Sequence, residues 1–273
     1  MLGIQWVGID GTTRHEASDG RPIAGSSLML AAHATNSEPP VLEMVPRPVE
    51  RFVIALVGLA FEARIAAGPG VFVICRDTES GVAASIDQAL KRGCRSIISF
   101  GVAGGLAPHL RPGNWVVASS IVDAKKTLPT DRVWSQKILE MIPGAVHMPI
   151  AGVDSAVIDP HAKRRMHVET GAGCVDMESH LVARHAATHG LSFAAVRVVI
   201  DPAHRVVPEA ALAGMRPDGG TSITAVIREL IAGPSQLSGL LRIAFDAYAA
   251  RRALLRAREL LGPDFGLLGL NEA

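Results

Sequence analysis

The side chains best placed to do chemistry in this chain are acids and glycines that directly follow apolar runs. The run 52–57 leads into Gly58-Leu-Ala-Phe-Glu62, 96–100 into Gly101-Val-Ala-Gly104-Gly105, and 193–200 into Asp201-Pro202. In an open α/β sheet a ligand sits outside the carboxyl ends of the strands, so two carboxylates and a glycine loop are expected at one edge. Asp201 has two readings. A carboxyl group at the end of a buried strand can be desolvated, hold a proton at neutral pH and serve as a general acid. Asp before Pro is equally an ordinary helix N-cap, as Asp159-Pro160 is ahead of the helix expected from Ala162. Glu178 also has two: an acid in a first helical turn suits the helix dipole, and a carboxylate there can accept from vicinal hydroxyls such as those of a ribose.

The glycines of Gly101-x-x-Gly104-Gly105 would let backbone N–H groups approach an anion, or merely allow a tight turn. The segment is not GxGxxG and lacks the Lys-Ser/Thr of a P-loop. Pro108 and Pro112 deny it a following helix, which disfavours a dinucleotide fold. His185 and His189 stand four apart, but Ala186 occupies the position of the metalloprotease Glu, so they read as a solvated helix face and no metal is expected. The chain contains no Gly-x-Ser-x-Gly elbow, which argues against a serine hydrolase.

These residues need strands and helices to hold them. Short apolar runs predict strands over 52–57, 71–74, 96–100, 115–122 and 193–200, and longer stretches predict helices over 83–91, 135–141, 162–169, 177–189, 222–231 and 237–261. The pattern opens β-β-α-β and indicates an α/β layer fold. Residues 1–48 show no sustained period and end in Pro39-Pro40 and Pro46-Arg-Pro48, so they read as an irregular extension, and Met44 offers an alternative start. Residues 49–235 are expected to form one domain. The last segment, 236–273, is a basic amphipathic helix with Leu240, Leu241, Ile243, Ala244, Ala247 and Tyr248 beside Arg242, Arg251, Arg252, Arg256 and Arg258. Such a helix either docks on its own sheet or a second subunit, or lies on an anionic membrane surface.

Composition narrows the class. Hydrophobic residues at 48% and charged residues at 19% exclude whole-chain disorder, and a net charge of +1 provides no field to draw nucleic acid. Three cysteines without paired spacing suggest no disulfide framework and fit a reducing cytoplasm. No secretory signal or membrane-spanning run is legible, so the protein is expected to be cytoplasmic and at most peripheral to the inner membrane.

Three segments, in order, resemble the purine nucleoside phosphorylase and nucleosidase superfamily. They are Ser99-Phe-Gly-Val-Ala-Gly-Gly-Leu-Ala107 with Pro112-Gly-Asn-Trp-Val-Val117, then Val175-Asp-Met-Glu178, then Arg197-Val-Val-Ile-Asp201. Within it, Gly-Leu-Ala-Phe-Glu-Ala-Arg64, Gly-Val-Ala-Gly-Gly-Leu106 and Asp-Met-Glu-Ser179 are most similar to the hopanoid-associated phosphorylases. The resemblance implies a three-layer α/β/α sandwich around a mixed sheet, a homo-oligomer, and an enzyme that cleaves the N-glycosidic bond of an adenine nucleoside. Its narrower form implies adenosylhopane as substrate and adenine release in hopanoid side-chain biosynthesis. The alternatives are a nucleosidase of the methylthioadenosine/S-adenosylhomocysteine type, or a catalytically silent nucleoside-binding, membrane-associated protein.

The resemblance also implies roles. Asp201 would act on purine N7, Met177 would pack under the ribose, and Glu178 would bind its hydroxyls. Backbone groups of Val157 or Ile158 would read the adenine edge. Glu62 would hold the nucleophilic water or the 5′ side, although its offset from Gly58 is one residue short of the methylthioadenosine pattern. Gly101, Val102, Gly104 and Gly105 would form the phosphate- or water-side loop. No cofactor is implied, and phosphate is left open as a co-substrate. Two positions depart from the pattern: Ile200 stands where a Ser or Thr usually precedes the acid, and Ser99 stands where phosphate-using members carry Arg. Water as nucleophile is thus also open, and Arg64 is a candidate replacement cation.

Overall fold

The computed structural model describes residues 53–75, 78–123, 126–206 and 237–267, with side chains of the last segment from 242 onward. The extension over 1–48, Phe52 and the helix expected over 222–231 lie outside the described residues. The chain divides into Met1–Arg47 and Pro48–Ala273, and every described residue belongs to the second unit.

The elements are β1 (Val53–Val57), α1 (Ala60–Ala66), β2 (Val71–Cys75), α2 (Glu79–Lys91), β3 (Ser96–Gly105), β4 (Trp115–Asp123), β5 (Lys126–Pro129), α3 (Arg132–Met141), β6 (Val146–Gly152), α4 (Pro160–Thr170), β7 (Cys174–Asp176), α5 (Ser179–His189), β8 (Ser192–Asp201) and α6 (Leu237–Leu261). Strand residues alternate between two buried faces. Ile54, Leu56, Ile97, Val116, Ala195 and Val199 pack with Val82, Ile86, Val182 and Ala186 of α2 and α5. Val53, Ala55, Ile98, Val117, Val196 and Val198 pack with Ile65, Trp134, Ile138, Leu254 and Leu261 of α1, α3 and α6. This period of two, with helices on both sides, is the expected three-layer α/β/α arrangement.

The sheet is mixed, but part of it is closed where an open one was expected. β8 runs parallel to β3 and antiparallel to β4, β4 parallel to β6, β6 parallel to β7, and β7 antiparallel back to β3. Strand length explains the closure. One edge of β3 pairs with β1 through Ser96–Ser99 and, farther along, with β7 through Gly104 and Gly105, while its other edge holds β8. β4 likewise hands one edge from β8 to β5.

Local chemistry sets the boundaries. α4 starts at Pro160, earlier than expected, because Asp159 accepts from Ala162 N–H (2.8 Å) and Pro fits the first turn, and Gly171 ends the helix in left-handed geometry. Asp201-Pro202 does not repeat that cap: a turn follows, with Arg205 N–H donating to Pro202 C=O (3.1 Å). The opening is β-α-β-α-β, because α1 fits between the first two strands. β5, β6 and β7 were not legible: β5 is a polar edge, β6 contains Pro149, and β7 is three residues long. α6 docks on its own sheet through Ala250, Leu254, Ala257 and Leu261, all fully buried, and Trp115 Nε1 donates to Ala253 C=O (3.1 Å). No described helix is long and apolar enough to cross a membrane.

Candidate active site

β1 and β8 run parallel to β3 on its two edges, so the carboxyl ends of all three lie on one side. There the segment expected to be a glycine loop proves to be strand. β3 continues through Gly105 because Gly101–Gly104 pair with β8 and Gly104–Gly105 with β7. It is not a tight turn, and the Val102 N–H donates to Glu62 Oε1 (2.7 Å). The glycines serve close approach instead. A Cβ on Gly101 would lie 2.5 Å from Glu62 Oε1 and 2.6 Å from Arg197 Nη1, and one on Gly58 would lie 2.7 Å from Glu178 Oε1.

Glu62 sits in the first turn of α1, and its Oε2 accepts from Gly58 N–H and Leu59 N–H at 2.8 Å each. It is buried, and burial pushes its carboxyl up to about 7, against the opposing effect of the Arg197 guanidinium and the Val102 N–H. Arg64, two positions on, is exposed and is not brought to this edge, since residues i and i+2 of a helix do not share a face.

Arg197 of β8 is fully buried and faces three carboxylates. Its Nε lies 2.6 Å from Asp176 Oδ2, an ion pair without hydrogen-bond alignment, and its Nη2 donates to Glu178 Oε2 (3.4 Å) and Ser99 Oγ (2.6 Å). Burial opposes the guanidinium charge, but Asp176, Glu178 and Glu62 outweigh it and hold its pKa above the ordinary value. Ser179 Oγ bridges Ser99 Oγ (2.9 Å) and the Asp176 carboxylate. α5 begins at Ser179, after Glu178. Asp176 Oδ1 accepts from Glu178 N–H (3.2 Å) and Ser179 N–H (2.9 Å), leaving the Glu178 carboxylate to face Arg197 and Gly58.

Farther along β8 stands Asp201. A register shift between Ala103 and Gly104 places Gly104 opposite Asp201, four residues beyond Arg197, and a Gly104 Cβ would lie 3.4 Å from Asp201 Oδ1 and from Val175 Cγ1. Lys163 of α4 donates to Asp201 Oδ2. Burial raises the Asp201 carboxyl above its ordinary value, and the Lys163 charge acts against that rise. Val157, between β6 and α4, packs with Val175, Leu106 and Met166 and so borders the Asp201 end. Ile158 and Met177 are half-buried, in the same loop and between β7 and α5 respectively. His185 and His189 stack along α5, and His189 Nε2 lies 3.5 Å from Asp87.

Residues 66–232 match the family model of the Phosphorylase superfamily. The chain belongs to the Phosphorylase superfamily. Several solved structures share its superfamily fold. Futalosine hydrolase of Helicobacter pylori matches with 16% identity and a TM-score of 0.54 over 77% of this chain and 97% of that one. The 5′-methylthioadenosine/S-adenosylhomocysteine nucleosidases of Campylobacter jejuni (14% identity, TM-score 0.52, 77% and 99% covered) and H. pylori (15%, 0.52, 77% and 98%) do likewise. At such identity the likeness is one of fold. No protein of curated function matches the sequence.

Four members of the constellation were not assigned from sequence. Arg197 was legible only as the marker that fixed the offset to Asp201. Ser99 was read for the Arg it lacks, Asp176 was passed over for Glu178, and nothing in the run Lys163-Arg164-Arg165 singles out Lys163.

Proposed function

We propose that this superfamily member hydrolyses the N-glycosidic bond of an adenine nucleoside. One observation carries the reading: two acids, the buried Glu62 and the half-buried Asp201, both with raised pKa, flank the glycine stretch of β3 at a single strand edge. The two ends suit the two halves of the reaction. As the C1′–N9 bond breaks, its electron pair moves into the adenine ring and the Asp201 proton passes to N7. Water oxygen then bonds to C1′ and yields its proton to Glu62. Glu178 accepts from the ribose hydroxyls, Met177 packs beneath the sugar, and backbone groups of Val157 or Ile158 meet the adenine edge.

Charge favours water over phosphate. Among the described residues the nucleophile end holds Glu62, Asp176 and Glu178 around the Arg197 guanidinium, with the neutral Ser99 beside it, and this surplus of negative charge repels a phosphate dianion.

We propose adenosylhopane as the substrate. Beyond the wording of 58–64 and 176–179, support comes from α6, whose solvent side carries exposed Phe245 and Tyr248 beside exposed Arg242, Arg251, Arg252 and Arg256. Aromatic and arginine side chains on one helix suit contact with an anionic bilayer, where a polycyclic lipid substrate resides.

The test is adenine release from adenosylhopane, followed by chromatography with and without phosphate, beside an Asp201→Asn variant. The expected result is phosphate-independent release, slowed about 10²–10⁴-fold in the variant. Phosphate-dependent release overturns water as nucleophile. Cleavage of methylthioadenosine but not adenosylhopane overturns the lipid substrate, and inertness toward both overturns the activity.

A further inference from the structure

Lys163 is fully buried, on a helix whose neighbouring Arg164 and Arg165 are exposed. A buried ammonium group is costly to desolvate unless each of its protons finds an acceptor. Here all three do: Nζ donates to Asp201 Oδ2, Pro202 C=O (3.4 Å) and Arg205 C=O (3.2 Å). An ammonium has three donors, so Lys163 has none left for a substrate. Whatever it does, it does through Asp201 and the turn that follows.

Asp201 has little else to hold it. Its strand neighbour Ile200 is apolar, Gly104 opposite has no side chain, and among the described residues Lys163 is the side chain that hydrogen-bonds its carboxylate. The other charge facing it is Arg205, whose guanidinium pairs with Asp246 of α6. α4 in turn is fixed in register by the Asp159 cap at one end and Gly171 at the other, which sets where Lys163 enters the sheet edge.

We infer that Lys163 is a positioning residue for Asp201: it fixes Oδ2, leaves Oδ1 toward the leaving base, and supplies the counter-charge for the carboxylate that remains after proton transfer. The inference rests on Asp201 being the general acid. In a buried site an isolated carboxylic acid holds its proton tightly and gives it up poorly. The adjoining ammonium stabilises the conjugate base formed as adenine departs.

The test compares wild type with Lys163→Met and Lys163→Gln, reading the pH profile of adenine release and the titration of the Asp201 side-chain carboxyl carbon by NMR. With the charge gone, the alkaline limb of activity and the carbon midpoint are both expected to move upward by about 1–3 pH units. The Gln variant, which keeps a donor, is expected to retain more activity than Met at the same displaced limb. A folded variant that loses activity while limb and midpoint stay in place overturns the inference. The wild-type chain supplies a readout that needs no substitution: the Lys163 Nζ resonance is expected to shift at the Asp201 midpoint, and a resonance indifferent to that titration overturns the inference too. If wild type releases no adenine, the functional reading falls while both NMR readouts still decide whether Lys163 governs Asp201.

Discussion

The Glu62 carboxyl accepts three backbone N–H bonds, an arrangement that favours the charged form, yet burial carries it from an ordinary 4.5 to about 7. The folded chain therefore binds this proton more tightly than the unfolded one. The stability it contributes is complete below pH 4.5 and is lost as pH rises through about 7, a change on the order of 3 kcal/mol. Relative to Glu62→Gln, wild type is expected to lose that stability between pH 4.5 and 8, as urea denaturation at the two pH values would show. Activity should run the other way, since a base must be ionised: kcat/KM is expected to rise through about pH 7 in wild type and to lose that limb in the variant. Arg197→Met poses the harsher case, removing the guanidinium that faces the buried Glu62, Asp176 and Glu178. A loss of about 3–5 kcal/mol in denaturation experiments is expected.

Among the elements, β3 matters most to the site, and its role was only half legible. The apolar run 96–100 announced a strand, and the glycines after it announced a place where something comes close. That Glu62 and Arg197 come close there depends on β8 and β7 pairing with the same glycines from distant parts of the chain. Local pattern carries no record of such partners. Lys163 is similar: helical spacing predicts α4, but only the placement of α4 against the end of β8 separates a buried lysine from its exposed neighbours. The gathering of three strand ends was legible because parallel strands in one sheet must end on one side. Gly101→Ala tests the close approach. Its Cβ would stand 2.5 Å from a carboxylate oxygen inside a packed sheet, and a loss of about 1–3 kcal/mol with a marked fall in kcat is expected from melting and turnover measurements. An unchanged Tm would mean that Glu62 and Arg197 can shift aside.

For the molecule as a whole, α6 seals one face of the sheet while presenting arginine and aromatic side chains outward. Leu254→Ala opens a cavity beneath it and is expected to cost about 2–5 kcal/mol by denaturant titration. Replacing exposed Phe245 and Tyr248 by Ser should leave stability unchanged while reducing flotation with anionic vesicles, and undiminished flotation would count against bilayer contact.

The closed run of strands bears on how the protein is made. β8 completes it and carries both Arg197 and Asp201, so a chain still on the ribosome before Ser192 has Glu62, Asp176 and Glu178 without the Arg197 guanidinium that draws them together. Mutual repulsion keeps that edge wet and unfinished until β8 arrives. The birth of the active site thus waits for β8, the sealing of the sheet by α6 comes later still, and a chain terminated before β8 has no partly working enzyme to release.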